Sequence, residues 1–210
     1  MVDVIAYGED GLTLWAISHK LGDILSSIGD KSPESSCRLY YRPSFGRRGG
    51  DRSAQFGEFD FILLSREAII LGESKWDASR SKMQRILPLM KEQAERHVTL
   101  RCYLESWFET SDRVWTDVVS RTRTRLEAEG IHKPPAPKGS RLETNLKDFL
   151  AGLDNHFSDK PIVRNLLLYF YDSAHGEPLN EREEGFDVVC LPYDPGGRVR
   201  IHIEHQEEAQ

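Results

Sequence analysis

Cysteine is scarce in this sequence, and its three positions form no pair. Cys37, Cys102 and Cys190 are scattered, their number is odd, and no Cys-x-x-Cys spacing occurs. This pattern supports neither a disulfide framework nor a zinc knuckle, so we expect buried, reduced thiols.

Long apolar runs are also missing. The longest are short stretches such as 166–171, whereas a membrane span needs about 20 apolar residues.

The sequence also has no recognisable targeting signal, and it has fewer basic than acidic residues. The start of the sequence has neither the basic residues nor the apolar stretch of a signal peptide, so we expect a cytoplasmic protein without a membrane partner. Acidic residues number 34 against 28 basic ones, which gives a net charge of −6 at pH 7. Because nucleic-acid-binding surfaces are usually basic, any contact with DNA must come from a local basic patch.

The sequence does contain the alternating helix and strand patterns of a soluble α/β protein. It has 210 residues, of which 39% are hydrophobic and 30% charged, enough for one sizeable domain. Apolar periodicity predicts helices over 11–28, 77–108 with a kink or break at Pro88, 116–129 and 141–157. It predicts strands over 38–42, 56–64, 68–75, 162–171, 186–193 and 198–204, the last two joined as a hairpin. We therefore expect a central mixed sheet with helices on both faces.

Two of these strands, 56–64 and 68–75, combine apolar runs with charged residues. Only three residues separate them, which is a hairpin-length connection. Asp60 then lies opposite Glu73 or the residue before it, with Cβ atoms about 4.5–5.5 Å apart. Lys75 shares a face with Glu73. Such charges inside an apolar hairpin are costly unless paired or metal-bound. They indicate either an internal salt bridge or an oxygen-lined Mg²⁺ or Mn²⁺ site.

The order of these residues resembles a known motif. The string Gly57-Glu-Phe-Asp-Phe-Ile-Leu-Leu64, followed by Ala68-Ile-Ile-Leu-Gly-Glu-Ser-Lys75, resembles the PD-(D/E)XK nuclease superfamily, also called restriction-endonuclease-like. The motif of that family is an acidic residue on one strand and Glu-x-Lys on the next. Phe59 stands where the family name has proline, a position that is commonly replaced. The Gly-Glu-x-Asp form looks most like the Holliday-junction-resolvase branch.

The resemblance implies a restriction-endonuclease-like core within one nuclease-like domain over 1–210, with a helical insertion around 110–160. It also implies that Asp60 and Glu73 bind the metal and that Lys75 is the catalytic lysine. The backbone carbonyl of Ser74 completes the metal shell by the same analogy.

Other members of the family carry further residues that this sequence matches less closely. Many have an acid in the first helix, for which Asp23 is the candidate because the helix predicted here contains no glutamate. Glu9 and Glu34 flank that helix. Some members have a glutamine in the helix after the motif, which Gln93 resembles and for which Gln84 competes. Glu58, in the Gly-Glu-x-Asp string, is a further candidate.

Two basic groups are candidates for contact with phosphate. The glycine-rich loop before the acidic strand carries Arg47, Arg48 and Arg52. The predicted helix 116–129 carries three more arginines, Arg121, Arg123 and Arg125. Either group could instead be an ordinary solvated surface, but the position of the loop favours a role in DNA binding.

These observations together predict a nuclease that hydrolyses phosphodiester bonds in DNA with Mg²⁺ or Mn²⁺ as cofactor. Two alternatives stay open at this point. One is a catalytically inactive module that keeps the fold and a residual salt bridge. The other is a nuclease subunit that is active only with a partner, such as a helicase.

Overall fold

A computed structural model describes residues 2–46, 57–76, 89–175, 183–193 and 198–203. Within those ranges the strands are β1 Val2–Tyr7, β2 Arg38–Tyr41, β3 Phe61–Leu64, β4 Ala68–Trp76, β5 Ile162–Asp172, β6 Asp187–Tyr193 and β7 Arg198–Ile203. The helices are α1 Gly8–His19, α2 Leu21–Ser27, α3 Lys91–Phe108, α4 Trp115–Ala128 and α5 Arg141–Asp154. None of these described helices has the length and apolar character that crossing a membrane requires.

Five strands form one mixed sheet in the order β2-β3-β4-β5-β6. β2 and β3 are antiparallel, with Arg38 opposite Leu64. β5 and β6 are parallel, with Leu166 opposite Asp187. The prediction of an α/β protein with a central mixed sheet is therefore confirmed. A restriction-endonuclease-like arrangement of that sheet stays a prediction.

The remaining two strands form a separate antiparallel pair, in which Val4 of β1 lies opposite Ile201 of β7. The predicted hairpin between the last two strands is wrong, because in the described chain β7 pairs with β1 and not with β6. Turn-forming residues indicate where a chain reverses. They do not decide which of two candidate strands supplies the hydrogen bonds, and here the choice joins opposite ends of the sequence.

The N-terminal helical region also differs from the prediction. The single helix expected over 11–28 is two helices, because Lys20 has φ −126° and ψ 14°, outside the helical region. The first of them begins three residues earlier than predicted, at Gly8. The helix predicted over 77–108 is present as α3 from Lys91 onward, and residues 77–88 lie outside the described chain. α4 and α5 match their predictions closely.

The chain divides into two compact units. The first unit comprises residues 1–36, 72–88 and 165–210, and the second comprises 37–71 and 89–164. α1 and α2 contribute buried apolar residues to the first unit, namely Leu12, Ala16, Ile17, Ile24 and Leu25. The core of the second unit contains residues from α3, α4 and α5, among them Leu100, Tyr103, Leu104, Val118, Leu146 and Leu150. The predicted insertion falls in the second unit, and its status as an insertion stays a prediction.

Candidate active site

The C-terminal half of β4 places a carboxylate in the interior of the protein. Ala68 to Ser74 are all buried, and Glu73 has a relative exposure of 0%. Lys75 and Trp76 end the strand half-buried. Because side chains alternate along a strand, Glu73 and Lys75 project from the same face. A fully buried carboxylate requires compensation by hydrogen bonds, an opposite charge or a metal.

Helix α1 supplies a second carboxylate to this strand end. Glu9 lies in the first turn of α1, and its Oε2 accepts a hydrogen bond of 2.8 Å from the backbone N–H of Trp76. Gly8 precedes it with φ +68°, a conformation that favours glycine. The Trp76 ring packs edge-on against Tyr193, with centroids 6.1 Å apart. Within the first unit, the Glu9–Trp76 hydrogen bond attaches the start of α1 to the end of β4, and the Trp76–Tyr193 contact attaches that strand end to β6.

The electrostatics of Glu9 show that its neighbours include both signs of charge. Burial is the largest influence and raises the pKa of the Glu9 carboxyl above its ordinary value of 4.5. The N–H of Trp76 and the ammonium of Lys75 lower this pKa, whereas the charges of Asp10 and Glu73 raise it. Glu9, Glu73 and Lys75 therefore interact, and we refer to them as the Glu9–Glu73–Lys75 cluster.

Asp23, the acid expected from the first helix, lies elsewhere. Its side chain is 71% exposed at the start of α2 and forms an ion pair of 3.5 Å with Lys20. The helix predicted from the sequence begins at residue 11, three residues later than α1, and therefore leaves Glu9 outside. An acidic pair directly after a glycine, as in Gly8-Glu-Asp10, is a signal for a first helical turn and could have identified Glu9.

The residues before β3 belong to the second unit. Asp60 is half-buried directly ahead of Phe61, and its backbone carbonyl accepts a hydrogen bond of 3.0 Å from the N–H of Arg42. The carboxylate of Glu58 is paired with the Arg42 guanidinium through two hydrogen bonds of 2.9 and 3.0 Å. This two-pronged pairing gives Glu58 a structural partner at the surface. The approach of Asp60 to Glu73 across the hairpin stays a prediction.

The other predicted site residues fall into three groups. Gln93 is buried, and its Oε1 accepts a hydrogen bond of 3.0 Å from the N–H of Met90, so it caps the start of α3. Ser74 is buried in β4 beside Glu73. The loop residues Arg47, Arg48 and Arg52, like Gln84, lie outside the described residues.

The donor set of the cluster suits a hard divalent cation in part. Across the described ranges, no group of three or more histidine, cysteine, aspartate or glutamate side chains is placed to hold a metal ion. Glu9 and Glu73 still provide two oxygen donors with a net excess of negative charge. Mg²⁺ is commonly held by one or two carboxylates together with water and substrate phosphates, so these two carboxylates match part of what such an ion requires.

Comparisons of the chain with protein-family models, with curated proteins and with solved structures found no match.

Proposed function

We propose that this protein is a divalent-metal-dependent nuclease that hydrolyses phosphodiester bonds in DNA. The observation that carries the proposal is the Glu9–Glu73–Lys75 cluster, in which the Glu9 carboxylate interacts with the fully buried carboxylate of Glu73 and with the ammonium group of Lys75. The sequence motif adds Asp60, which directly precedes β3, as a further acid.

The balance of charge favours a cation over a structural ion pair. A structural pair with the Lys75 ammonium needs one carboxylate, but this strand end has two, Glu9 and Glu73, and Glu73 raises the pKa of Glu9. Two carboxylates that share one poorly solvated region repel each other unless a positive charge offsets them. One lysine offsets only part of this repulsion, and a divalent ion would offset the rest.

Each residue has a role in the proposed reaction. Glu73 and Glu9 would hold the metal, with Asp60 and the carbonyl of Ser74 added by analogy with the motif. When bound, Mg²⁺ or Mn²⁺ supplies polarisation of the phosphate and a more acidic water. The Lys75 ammonium, on the same face of β4 as Glu73, would donate to the attacking water or to a phosphate oxygen and would offset charge in the transition state.

A cleavage assay tests the proposal directly. Plasmid, linear duplex, branched and single-stranded DNA are incubated with the protein in Mg²⁺ or Mn²⁺, and the products are separated by gel electrophoresis. We expect Asp60→Asn, Glu73→Gln and Lys75→Ala each to abolish cleavage, because each removes a different part of one site. Glu67→Gln is the matched control, since Glu67 is exposed in the connection between the same two strands.

Two results would contradict the proposal. One is wild-type protein that cuts none of the substrates in either metal, alone or with a candidate helicase partner, which would favour a non-catalytic binding module. The other is near-wild-type cleavage by the Glu73→Gln variant, which would remove the buried carboxylate from the chemistry.

A further inference from the structure

The second unit contains an open groove between α4, the loop that follows it, and α5. Its volume is about 610 Å³. We call it the α4–α5 groove and define it by the lining residues Val114, Trp115, Val119, Pro134, Pro135 and Lys147. Most of these side chains are apolar, and Val114 is 45% exposed although it is a large hydrophobic residue. Exposed apolar patches with polar rims occur at protein-interaction sites and ligand-binding grooves.

A packed scaffold holds the groove in shape. The Trp115 ring stacks on Tyr103, with an interplanar angle of 11° and centroids 6.1 Å apart. The Tyr103 hydroxyl accepts a hydrogen bond of 2.7 Å from the backbone N–H of Ala136, in the loop that forms the opposite wall. Lys147 of α5 places its Nζ 5.2 Å from the centroid of the Trp115 ring. The groove is therefore formed before any ligand arrives.

The loop wall limits how a ligand can be recognised. In the segment Pro134-Pro-Ala-Pro137, three of the four residues have no backbone N–H. The fourth, Ala136, already donates its N–H to Tyr103. This wall therefore offers no backbone N–H to an added β-strand.

Positive charge surrounds the apolar surface. Arg123 and Lys138 are exposed at the groove, and Lys147 lies over Trp115. Among the described residues that line the groove, Glu143 is the one carboxylate. It is buried, it pairs with Lys147 at 2.6 Å, and it accepts a hydrogen bond from the backbone N–H of Gly139. Three cations against one acid leave a net charge of two positive units, although the whole chain has a net charge of −6.

The other arginines of α4 face acidic surroundings. Arg125 forms ion pairs with Glu105, at 2.8 Å, and with Glu109. Arg121 borders a different depression, which is lined by the carboxylates Glu109, Asp112 and Asp117. Of the three arginines on this helix, Arg123 is the one that lines the α4–α5 groove. The basic character of the groove is thus local.

We propose that the α4–α5 groove binds an acidic peptide segment of a partner protein, anchored by one large apolar side chain. The apolar walls accept the anchor, and Arg123 and Lys138 complement the acidic residues around it, because Lys147 is already paired with Glu143. A small molecule fits less well, because ligand pockets usually enclose most of their ligand and this groove is open. Single-stranded DNA also fits less well, because it needs aromatic faces for stacking, and Tyr103 and Lys147 already pack against Trp115.

The proposal goes beyond the nuclease activity and is tested without metal and without a cleavage reaction. The probe is an array of decapeptides that contain four aspartate or glutamate residues around one central leucine, isoleucine, methionine, phenylalanine or tryptophan. Control arrays have lysine in place of the acids, or alanine at the centre. Hits are then measured in solution by fluorescence anisotropy. We expect acidic peptides with an apolar centre to bind the 210-residue protein with micromolar dissociation constants, and both controls to bind much more weakly.

Matched variants identify the binding surface. Arg123→Glu combined with Lys138→Glu should weaken peptide binding by about tenfold or more, because it converts attraction into repulsion. Val114→Asp should weaken it as well, by removing an exposed apolar contact. Arg121→Glu changes the same helix and reverses one charge outside the groove, so it should bind like wild type. Thermal melts establish that each variant is folded, as expected for exposed positions.

Three outcomes would overturn the proposal. The first is that no acidic peptide of the array binds with a dissociation constant below about 1 mM. The second is that Arg121→Glu weakens binding as much as the groove variants, which would indicate an unspecific charge effect. The third is that a ten-nucleotide oligo-dT binds and is lost in the Arg123→Glu, Lys138→Glu variant, which would assign the groove to nucleic acid.

Discussion

The response of thermal stability to metal distinguishes Glu9 from Asp23 as the acid that belongs to the candidate site. Glu9 accepts a hydrogen bond from Trp76 beside buried Glu73, whereas the side chain of Asp23 is 71% exposed and pairs with Lys20. The two substitutions Glu9→Gln and Asp23→Asn each remove one negative charge and keep the shape of the side chain. We expect only the first to change the binding of Mg²⁺ or Mn²⁺.

The size of the effect follows from ligand linkage. A metal present at about a hundred times its dissociation constant stabilises the folded protein by about 2.7 kcal/mol. For a chain of 210 residues, about 2–4 °C per kcal/mol converts this to a rise of about 5–11 °C in melting temperature. Mutating a residue that only supports a metal ligand typically weakens metal binding by about 10–100-fold. Since Glu9 is proposed to hold the metal itself, we expect Glu9→Gln to weaken metal binding by about a hundredfold. The same metal concentration then stabilises by about 0.4 kcal/mol, or about 1–2 °C.

The metal-free protein provides an internal control for this measurement. Because burial and Glu73 both raise the pKa of Glu9, the neutral amide of Glu9→Gln removes an unfavourable charge, and its oxygen can still accept from the Trp76 N–H. The metal-free variant should therefore melt at or above the temperature of the metal-free wild type. The assay is differential scanning fluorimetry of three proteins with and without millimolar metal. A full metal response in Glu9→Gln, or its loss in Asp23→Asn, would refute this assignment of the acid.

Two further predictions concern other parts of the chain. Hydrogen bonds from Lys160 and Arg125 lower the pKa of the Glu109 carboxyl below 4.5, so its stabilising effect is present above pH 4.5 and is lost as the pH falls through the lowered value. In urea titrations, Glu109→Gln should be less stable than wild type at pH 7 and should lose less stability than wild type on acidification. Equal pH profiles of the two proteins would contradict this. Arg47→Ala with Arg48→Ala should weaken DNA binding and flatten its dependence on salt, because fewer phosphate contacts release fewer counterions. If anisotropy titrations give an unchanged slope of log affinity against log salt concentration, the loop is ordinary solvated surface.

The local patterns of the sequence were sufficient for most individual elements. A short apolar run predicts the strand β4, and apolar residues at helical spacing predict the helix α4. Both patterns depend only on residues that are near one another in the sequence. The same alternation places Glu73 and Lys75 on one face of their strand, so this part of the candidate site followed from spacing alone.

Local pattern was insufficient wherever a residue obtains its partner from a distant part of the chain. Glu9 joins the candidate site through a hydrogen bond to Trp76, which is 67 positions away in sequence. The beginning of α1 at Gly8 and the break at Lys20 also depend on backbone conformations that apolar periodicity does not report. Because the predicted helix begins too late to include Glu9, the sequence favours Asp23 as the acid of the first helix.

Pairing and orientation were decided by the tertiary structure. The alternating pattern of β7 predicts a strand, but its pairing with β1 depends on which segments reach each other once the chain has folded. Likewise, helical spacing puts Arg121 and Arg125 on one face of α4, but only packing places Arg125 against Glu105 and Arg123 at the α4–α5 groove. Sequence specifies the period of an element and the chemistry of its side chains. Long-range burial determines which neighbours those side chains meet, because it depends on the whole chain.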